Sequence, residues 1–292
     1  MGSAHAAAEY DRRIEACPLC GSHALRPYDR DASGATIDAC GGCGIKFMNP
    51  QYTDADRVRF YAHFLDFGLL DAPETSLPMR KRKSVRVEGK RRSLELVGRY
   101  VAPGRVLSVG CGDGIELSVA QELGWTAEGY DVDPDATARV ASRYGALVHT
   151  GDFRDLPLRT APFDAVVMDQ VIEHLKNPGE YLRTIASLLR PGGVLFLGAP
   201  NVGSLSNRAK TALGKLGLRG AKRGKHYACD HHVVYLAPTP LRRVLEERHG
   251  FDVLRVGGSL KPQKKRASPV LSRWFPSVDS SFYVLARRRK DV

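Results

Sequence analysis

The stretch Arg105-Val-Leu-Ser-Val-Gly-Cys-Gly-Asp-Gly-Ile115 decides the fold of this chain. An apolar run over 106–109 is typical of a buried strand, and glycines at its end let the backbone approach a ligand before a helix begins. The spacing is G-x-G-x-G, whereas the dinucleotide-binding pattern G-x-G-x-x-G would need a glycine where Ile115 stands. The loop therefore predicts a ligand-binding turn but does not name its ligand.

Further apolar strands follow this loop, at 127–130, 147–149, 163–168, 194–197, 251–256 and 281–286. Helical patterns separate most of them. Strands that alternate with helices predict βαβ units and a parallel sheet that is covered on both faces. Together with the strand at 106–109, they predict an α/β domain over 101–292 with a doubly wound, mostly parallel, seven-stranded sheet.

Four cysteines near the N-terminus form two C-x-x-C pairs, which are Cys17 with Cys20 and Cys40 with Cys43. A zinc ion held by four thiolates has no open position, so such a site is structural. A segment of this size gains folding energy from the metal because it cannot bury a core alone. The pairs predict a small zinc ribbon over 11–50 with Zn²⁺ as a structural ion; unrelated cysteines or a redox pair are the alternatives.

The positive charge is concentrated outside the predicted sheet. The chain has 44 Lys and Arg against 32 Asp and Glu, a net charge of +12, yet acidic residues outnumber basic ones over 106–203. Basic residues cluster at 80–92, within a helical linker or cap predicted over 51–100, and in an insert at 201–229. This charge leaves nucleic acid, an anionic membrane surface and a phosphorylated substrate open as partners.

The insert at 201–229 follows the fifth strand, beside the expected mouth of the site. Its leucines at helical spacing and its basic flanks predict a lid that makes peripheral contact with anionic lipid; a solvated loop is the alternative. No apolar run is long enough to span a membrane, and residues 1–10 have no signal-peptide pattern. We expect a cytoplasmic protein, peripheral at the inner membrane face, with a disordered leader over 1–10.

Acidic residues follow the next strands at their carboxyl ends, where open α/β sheets bind ligands. Asp131 follows the second strand and can accept hydrogen bonds from both hydroxyls of a ribose, with Asp133 as the nearby competitor. Asp152 and Phe153 follow the third strand. Asp152 can accept from an adenine amino group while Phe153 packs on the ring. These positions predict a nucleoside-binding edge; solvated loop carboxylates are the alternative.

The motifs in order resemble those of class I S-adenosylmethionine-dependent methyltransferases. They are Val-Leu-Ser-Val-Gly-Cys-Gly-Asp-Gly, Gly-Tyr-Asp-Val-Asp-Pro, Gly-Asp-Phe, Phe-Asp-Ala-Val-Val, Ile-Glu-His-Leu and Leu-Arg-Pro-Gly-Gly, and the resemblance covers about 105–256. It implies a Rossmann-like methyltransferase fold, S-adenosylmethionine as cofactor, and cofactor contacts by Gly110, Gly112, Asp131, Asp152 and Phe153. With its N-terminal ribbon, the chain is similar to a bacterial subgroup linked to sugar or cell-surface glycan modification.

Two positions depart from the family pattern. The family usually has an acidic residue two positions before the first glycine, where this chain has Ser108. The segment is similar to the E-x-x-E-H pattern that lies at a divalent metal in ubiquinone-biosynthesis O-methyltransferases. In this chain Gln170 stands in place of the first glutamate, before Glu173 and His174. The first departure leaves open how the methionine amino group is held, and the second argues against a catalytic metal at these three positions.

Two histidines are candidate catalytic residues, because a hydroxyl acceptor must lose a proton at or after attack. His174 follows the fourth strand, beside the expected position of the methyl group. His232, with His231 as its neighbour, matches a family element in which a histidine precedes an aromatic residue and a proline-led helix. Structural roles for both histidines are the alternative.

The sequence therefore predicts S-adenosylmethionine-dependent methyl transfer, with a hydroxyl of a sugar, a cell-surface glycan or a related small molecule as acceptor. RNA methylation, with the ribbon and basic segments holding RNA, and quinone or phenol O-methylation are the alternatives. The fourth strand ends in Asp-Gln-Val-Ile-Glu-His, and not in the Asn-Pro-Pro-Tyr type of sequence that serves base amines, which argues against RNA. The glycine loop and Asp131 together argue against a non-catalytic binding module.

Overall fold

The structure is a computed structural model that describes residues 9–30, 35–56, 77–158, 160, 162–215, 232–260 and 279–290. Its main element is a seven-stranded sheet. The strands are β4 (Arg105–Val109), β5 (Thr126–Tyr130), β6 (Leu147–His149), β7 (Phe163–Asp169), β8 (Leu189–Pro200), β10 (Phe251–Gly258) and β11 (Ser281–Arg288). Their order is β10-β11-β8-β7-β4-β5-β6.

The pairing of these strands is mostly parallel. The five strands β8, β7, β4, β5 and β6 pair with one another in parallel. The strand β11 is antiparallel to both β8 and β10. The predicted seven-stranded, mostly parallel methyltransferase sheet is therefore confirmed. The strand β8 begins earlier than predicted, at Leu189 instead of 194, because residues 190–193 fit into an irregularity of its register with β7.

Helices cover both faces of the sheet, as the apolar strands require. They are α1 (Leu77–Gly98), α2 (Ile115–Glu122), α3 (Pro134–Tyr144), α4 (Pro178–Leu188), α5 (Leu205–Lys215) and α6 (Pro238–Arg248). Consecutive residues of a central strand belong to different hydrophobic clusters: Leu107 lies in one and Val106 in the other. The sheet is therefore buried on both sides, which explains why its strands are apolar runs without alternation.

The N-terminal segment forms a second, antiparallel sheet. Its strands are β1 (Leu25–Arg30), β2 (Thr36–Cys40) and β3 (Lys46–Met48), and a fourth strand, β9 (Val234–Tyr235), pairs with β3. The ribbon's Phe47 and Met48 lie in the same hydrophobic cluster as Leu107 of the main sheet. The predicted ribbon over 11–50 is thus completed by a strand from the C-terminal half of the chain.

Within the predicted helical segment 51–100, α1 packs against α2. Leu94 and Val97 of α1 are buried in the cluster that holds Val106, so the second half of this segment belongs to the main domain. Residues 57–76, which carry the rest of the predicted linker, lie outside the described residues.

The basic insert at 201–229 begins with the helix α5, on which Leu205 is 54 % and Leu213 38 % exposed. Residues 216–231, with Cys229 and His231, lie outside the described part of the chain, and so do residues 261–278, which include the basic tail around Lys261, Lys264, Lys265 and Arg266. Residues 1–8 of the predicted leader at 1–10 lie outside it too, so their disorder stays a prediction. For residues 9 and 10 the prediction is wrong, because Glu9 O accepts from Thr53 N at 3.0 Å and Tyr10 forms a β-bridge with Tyr52. No helix among the described residues has the length and hydropathy to cross a bilayer.

Candidate functional site

The glycine loop connects β4 to α2 in a conformation that requires glycine. Gly110 and Gly112 have φ angles of +72° and +52°, in the left-handed region that L side chains rarely adopt. A Cβ at Gly110 would also lie 2.5 Å from Val171 Cγ2. The loop therefore passes close to the segment after β7, and glycine at position 110 leaves room for the Val171 side chain.

Asp131 faces this loop from the end of β5. Its Oδ2 accepts a hydrogen bond from Gly112 N at 2.9 Å, and its Oδ1 accepts from Asp133 N at 3.2 Å. Burial raises the pKa of the Asp131 carboxyl above its ordinary value. The carboxylate is thus fixed at the loop and partly desolvated, so hydroxyl donors of a ribose would compensate for its burial.

Asp133, the other candidate for the ribose contact, has a different role from Asp131. Its side chain accepts from Asp135 N and Ala136 N and caps α3, with Pro134 in the first turn. This is an ordinary helix N-cap. Of the two carboxylates after β5, only Asp131 is aimed at the glycine loop.

Asp152 and Phe153 lie in the loop after β6, but with different exposure. The Asp152 carboxylate is exposed and pairs with Arg154 at 2.5 Å. The Phe153 ring is only 1 % exposed and lies 4.8 Å from Tyr181, in stacked geometry, and 4.7 Å from Tyr130. The observed role of Phe153 is in the core beneath the loop, and the adenine contacts of both residues stay predictions.

On the side of β4 that faces away from Asp131, the structure shows a cluster of charged residues that was not predicted as a site. Lys90 Nζ of α1 lies 3.0 Å from Glu116 Oε1 and 3.1 Å from Asp169 Oδ2, and Ser108 donates to Glu116 at 2.5 Å. Burial lowers the pKa of Lys90, but the Asp169 and Glu116 carboxylates outweigh it and raise that pKa. In the sequence, Lys90 is one of many residues of a basic run. The only signal for this cluster is Ser108, which stands where the family pattern has an acidic residue.

The two predicted catalytic histidines converge on Glu173. The rings of His174 and His232 contact each other edge to face, with centroids 4.7 Å apart, and each Nε2 lies 3.9 Å from Glu173 Oε1. Burial lowers the pKa of His232 to about 4, so its imidazole is neutral near pH 7. The three side chains have ligand atoms within 4.8 Å of one another, a geometry compatible with a metal ion as well as with proton transfer.

Gln170 stands between the glycine loop and this histidine cluster with an unusual backbone. Its φ angle is +63°, while its N–H donates to Gly198 O at 2.9 Å on the neighbouring strand β8. Non-glycine residues in this region carry strain that the surroundings must compensate. The turn at Gln170 is followed by Val171, whose side chain lies against Gly110 of the glycine loop.

The four N-terminal cysteines are brought together as predicted. The Cys17 and Cys43 sulfurs are 3.7 Å apart and the Cys20 and Cys40 sulfurs 3.6 Å, and all four lie within 4.8 Å of one another as free thiols. Tetrahedral zinc with Zn–S distances of about 2.3 Å requires sulfurs about 3.8 Å apart. The arrangement therefore has the dimensions of a four-thiolate metal site.

Each cysteine pair lies on the turn that such a site needs. Gly21 N donates to Cys17 O and Gly44 N to Cys40 O, both at 2.9 Å. The two glycines have φ angles of +75° and +85°, so their position after each second cysteine is a conformational requirement.

The ribbon also contacts the histidine cluster through the backbone. Val233, next to His232, donates its N–H to Glu173 O at 2.9 Å and accepts from Met48 N of the ribbon at 2.9 Å. Gly179 N at the start of α4 donates to Pro18 O at 3.1 Å. The segment that carries His232 is thus held between the ribbon and the segment that carries Glu173.

Comparison with known proteins shows which family this chain resembles. A family model described as a methyltransferase domain matches residues 82–256. A ubiquinone biosynthesis O-methyltransferase of Xanthomonas campestris pv. campestris is 30 % identical over 233 residues, 75 % of this chain and 92 % of that protein. A probable S-adenosylmethionine-dependent methyltransferase of Mycolicibacterium smegmatis is 36 % identical over 97 residues, which are 33 % of this chain and only 38 % of that relative's length.

Among solved structures, magnesium protoporphyrin IX methyltransferase from Synechocystis PCC 6803 with bound S-adenosylhomocysteine matches with a TM-score of 0.53 at 18 % identity. The match covers 80 % of this chain and all of that one, and at this identity it shows the fold alone. The family model, in contrast, covers more than half of the chain and includes the glycine loop, Asp131 and the Glu173-His174 segment. The chain thus belongs to the methyltransferase-domain family and is an S-adenosylmethionine-dependent methyltransferase.

Proposed function

We propose that this methyltransferase acts on a hydroxyl group of a small-molecule acceptor, with a sugar or cell-surface glycan as the acceptor class. The observation that carries the proposal is the convergence of His174 and His232 on Glu173, directly after the strand that borders the glycine loop. A hydroxyl needs a group that takes its proton, and a neutral imidazole can do so. An acceptor held there would approach from the histidine side.

The cofactor, when bound, supplies an electrophilic methyl group on a sulfonium centre. The chain's own residues bind and orient: Asp131 at the ribose, the glycine loop along the amino-acid portion, and the histidine pair at the acceptor. Holding the acceptor oxygen in line with the methyl group contributes much of the rate, because positioning replaces a bimolecular encounter. His232, neutral near pH 7, accepts the acceptor's proton or orients His174 to do so.

The periphery of the site supports the proposed class of acceptor. The helix α5 begins shortly after β8 and exposes Leu205 and Leu213 among basic neighbours. An apolar and basic surface of this kind favours an acceptor that carries a lipid or a phosphate. We extend the proposal to peripheral contact between the 201–229 insert and an anionic membrane at its inner face, with the rest of the protein in the cytoplasm.

A phenolic hydroxyl is the second candidate acceptor. It is favoured by the ubiquinone biosynthesis O-methyltransferases among the relatives, although Gln170 differs from their glutamate. In this case Glu173, His174 and His232 would hold a divalent cation in place of, or together with, proton transfer. RNA is a less favoured acceptor.

For the cysteine cluster we propose a structural Zn²⁺ held by Cys17, Cys20, Cys40 and Cys43. The support is the sulfur spacing described above and the absence of an open position in a four-thiolate site. The metal would stabilise the ribbon and, through β3 and β9, the segment that carries His232.

The test is an acceptor screen with methyl-labelled cofactor against nucleotide-sugars, lipid-linked glycans, quinone precursors and RNA, with and without a chelator. His174→Ala and His232→Ala are expected to slow methyl transfer by about 10²-fold or more while S-adenosylhomocysteine binds normally. The matched control is His23→Ala, an exposed histidine of the ribbon. Label transfer to RNA alone would refute the proposal. Transfer to phenols alone that the chelator abolishes without lowering the unfolding temperature would establish the second candidate, because loss of the ribbon's zinc would lower that temperature.

A further inference from the structure

We infer that Glu116 supplies the carboxylate that holds the cofactor's α-ammonium group. The resemblance assigns this place to an acidic residue at position 108, where the chain has serine. The inference rests on the use of S-adenosylmethionine by this family and does not depend on which acceptor is methylated. It names a binding residue at a position where the family pattern does not predict one.

The geometry brings the Glu116 carboxylate to the strand position that lacks its acid. Ser108 on β4 is 1 % exposed, and its Oγ donates to Glu116 Oε2 at 2.5 Å. Glu116 is the second residue of α2 and is itself only 5 % exposed. A carboxylate at 108 in addition to this one would place two negative charges in contact, which is unfavourable. The serine and the glutamate are therefore complementary.

The same carboxylate already lies next to an ammonium group. Lys90 Nζ is 3.0 Å from Glu116 Oε1 and 3.1 Å from Asp169 Oδ2. Glu116 Oε1 is buried, and its partner within the described part of the chain is the Lys90 ammonium group. A carboxylate oxygen has two acceptor sites, so Oε1 can accept from a second ammonium donor beside Lys90.

The order of the strands places Glu116 at the correct end of the cofactor. The strand β4 lies between β5, which ends at Asp131, and β7, which ends at Asp169. The ribose-binding carboxylate is thus on one side of the glycine loop, and the Glu116 cluster is on the other. A cofactor with its ribose at Asp131 and its chain along the loop directs its amino-acid end toward Glu116.

The experiment compares two ligands by titration calorimetry. One is S-adenosylhomocysteine, and the other is its deaminated analogue, which carries a butanoate chain and keeps the carboxylate. We expect the wild-type protein to prefer S-adenosylhomocysteine by about tenfold or more, the effect of one hydrogen bond to a charged group. In Glu116→Gln this preference should disappear, through weaker binding of S-adenosylhomocysteine alone. Glu122→Gln is the matched control, because Glu122 lies on the same helix but is 54 % exposed.

A Glu116→Gln protein that keeps the full preference overturns the inference. Equal loss of affinity for both ligands overturns it too, because that result would assign Glu116 to support of the loop. If Glu116→Gln alone does not fold, the double variant Ser108→Asp/Glu116→Gln is titrated with the same two ligands instead. A folded exchange variant that regains the preference supports the inference, and one without any preference contradicts it. Since no acceptor is present, failure here is distinguishable from failure of the proposed hydroxyl acceptor.

Discussion

Replacing Asp131 by alanine tests the cofactor site where two neighbouring carboxylates have different roles. The change removes the partner of Gly112 N–H and both oxygens that we expect to accept from the ribose hydroxyls. Asp131 lies at the end of a strand and not in its middle, so the sheet itself should remain intact. The expected effect is therefore on ligand binding and not on folding.

The magnitude follows from the bonds that are lost. A hydrogen bond to a charged group contributes about 1.5–3 kcal/mol, so two ribose bonds are worth about 3 kcal/mol even at the lower limit. Each 1.4 kcal/mol corresponds to a factor of ten, and Kd for S-adenosylhomocysteine should rise about a hundredfold or more. The unpaired Gly112 N–H adds to this loss, because the glycine loop is then no longer held by the side chain that fixes it.

Calorimetric titration of Asp131→Ala with S-adenosylhomocysteine measures this loss, and Asp133→Ala is the control. Because Asp133 caps α3, its removal should lower the free energy of unfolding by about 1 kcal/mol and leave Kd within twofold. Asp131→Ala should show the opposite pattern. If Asp131→Ala binds the ligand as tightly as the wild type, or if Asp133→Ala shows the larger loss, the assignment of the two carboxylates is wrong.

Three further changes probe other parts of the structure. Removing the proposed zinc with a chelator, or Cys40→Ser, should lower the unfolding temperature and slow methyl transfer, since the ribbon holds the segment before β9; an unchanged melting curve would argue against a structural metal. Gly110→Ala should lower the free energy of unfolding by about 1–3 kcal/mol, because φ is +72° and the new Cβ would lie 2.5 Å from Val171; denaturant titration measures this, and wild-type stability would contradict it. Burial lowers the pKa of His249 to about 4, below its unfolded value of 6.5. The stability that neutral His249 contributes is therefore present above about pH 6.5 and is lost as the pH falls toward 4. In urea unfolding, His249→Leu should flatten the pH dependence of stability in this range, and an unaltered slope would contradict the assignment.

The main sheet could be predicted because its information is local. Most strands contain a short apolar run, glycine or an acidic residue follows several of them, and helices separate most of the runs, so the order of motifs implies the parallel sheet. The cysteine cluster could be predicted for the same reason, since the spacing within each pair specifies its turn. The glycines after Cys20 and Cys43 are visible in the sequence, and both have a left-handed backbone in the structure.

Other features depend on contacts between distant residues, which a single sequence does not show. The pairing of β9 with β3 joins residues almost 190 positions apart, and a strand of two residues has no periodicity from which to recognise it. The same holds for Ser108 and Glu116: a missing acid on a strand and an extra acid on a helix gain meaning only when their 2.5 Å contact is seen. Tertiary pairing, and not local propensity, determines these features.

The structure also shows that basic residues of the run at 80–92 are paired with acidic residues of the same chain. Within the described part of the basic run at 80–92, Arg86 pairs with Asp113 of the glycine loop, Lys90 with Glu116, and Arg91 with Glu122. The sheet domain is rich in acidic residues, and this run of α1 neutralises those beside its loop and on α2. Charges that are paired within the protein release few counterions from a nucleic acid and contribute little to binding it. The basic run at 80–92 therefore argues less for an RNA partner than its sequence alone indicates, because Arg86, Lys90 and Arg91 pair with acidic residues of the catalytic domain. The net charge of +12 already counts these pairs, so the unpaired excess of positive charge lies elsewhere in the chain.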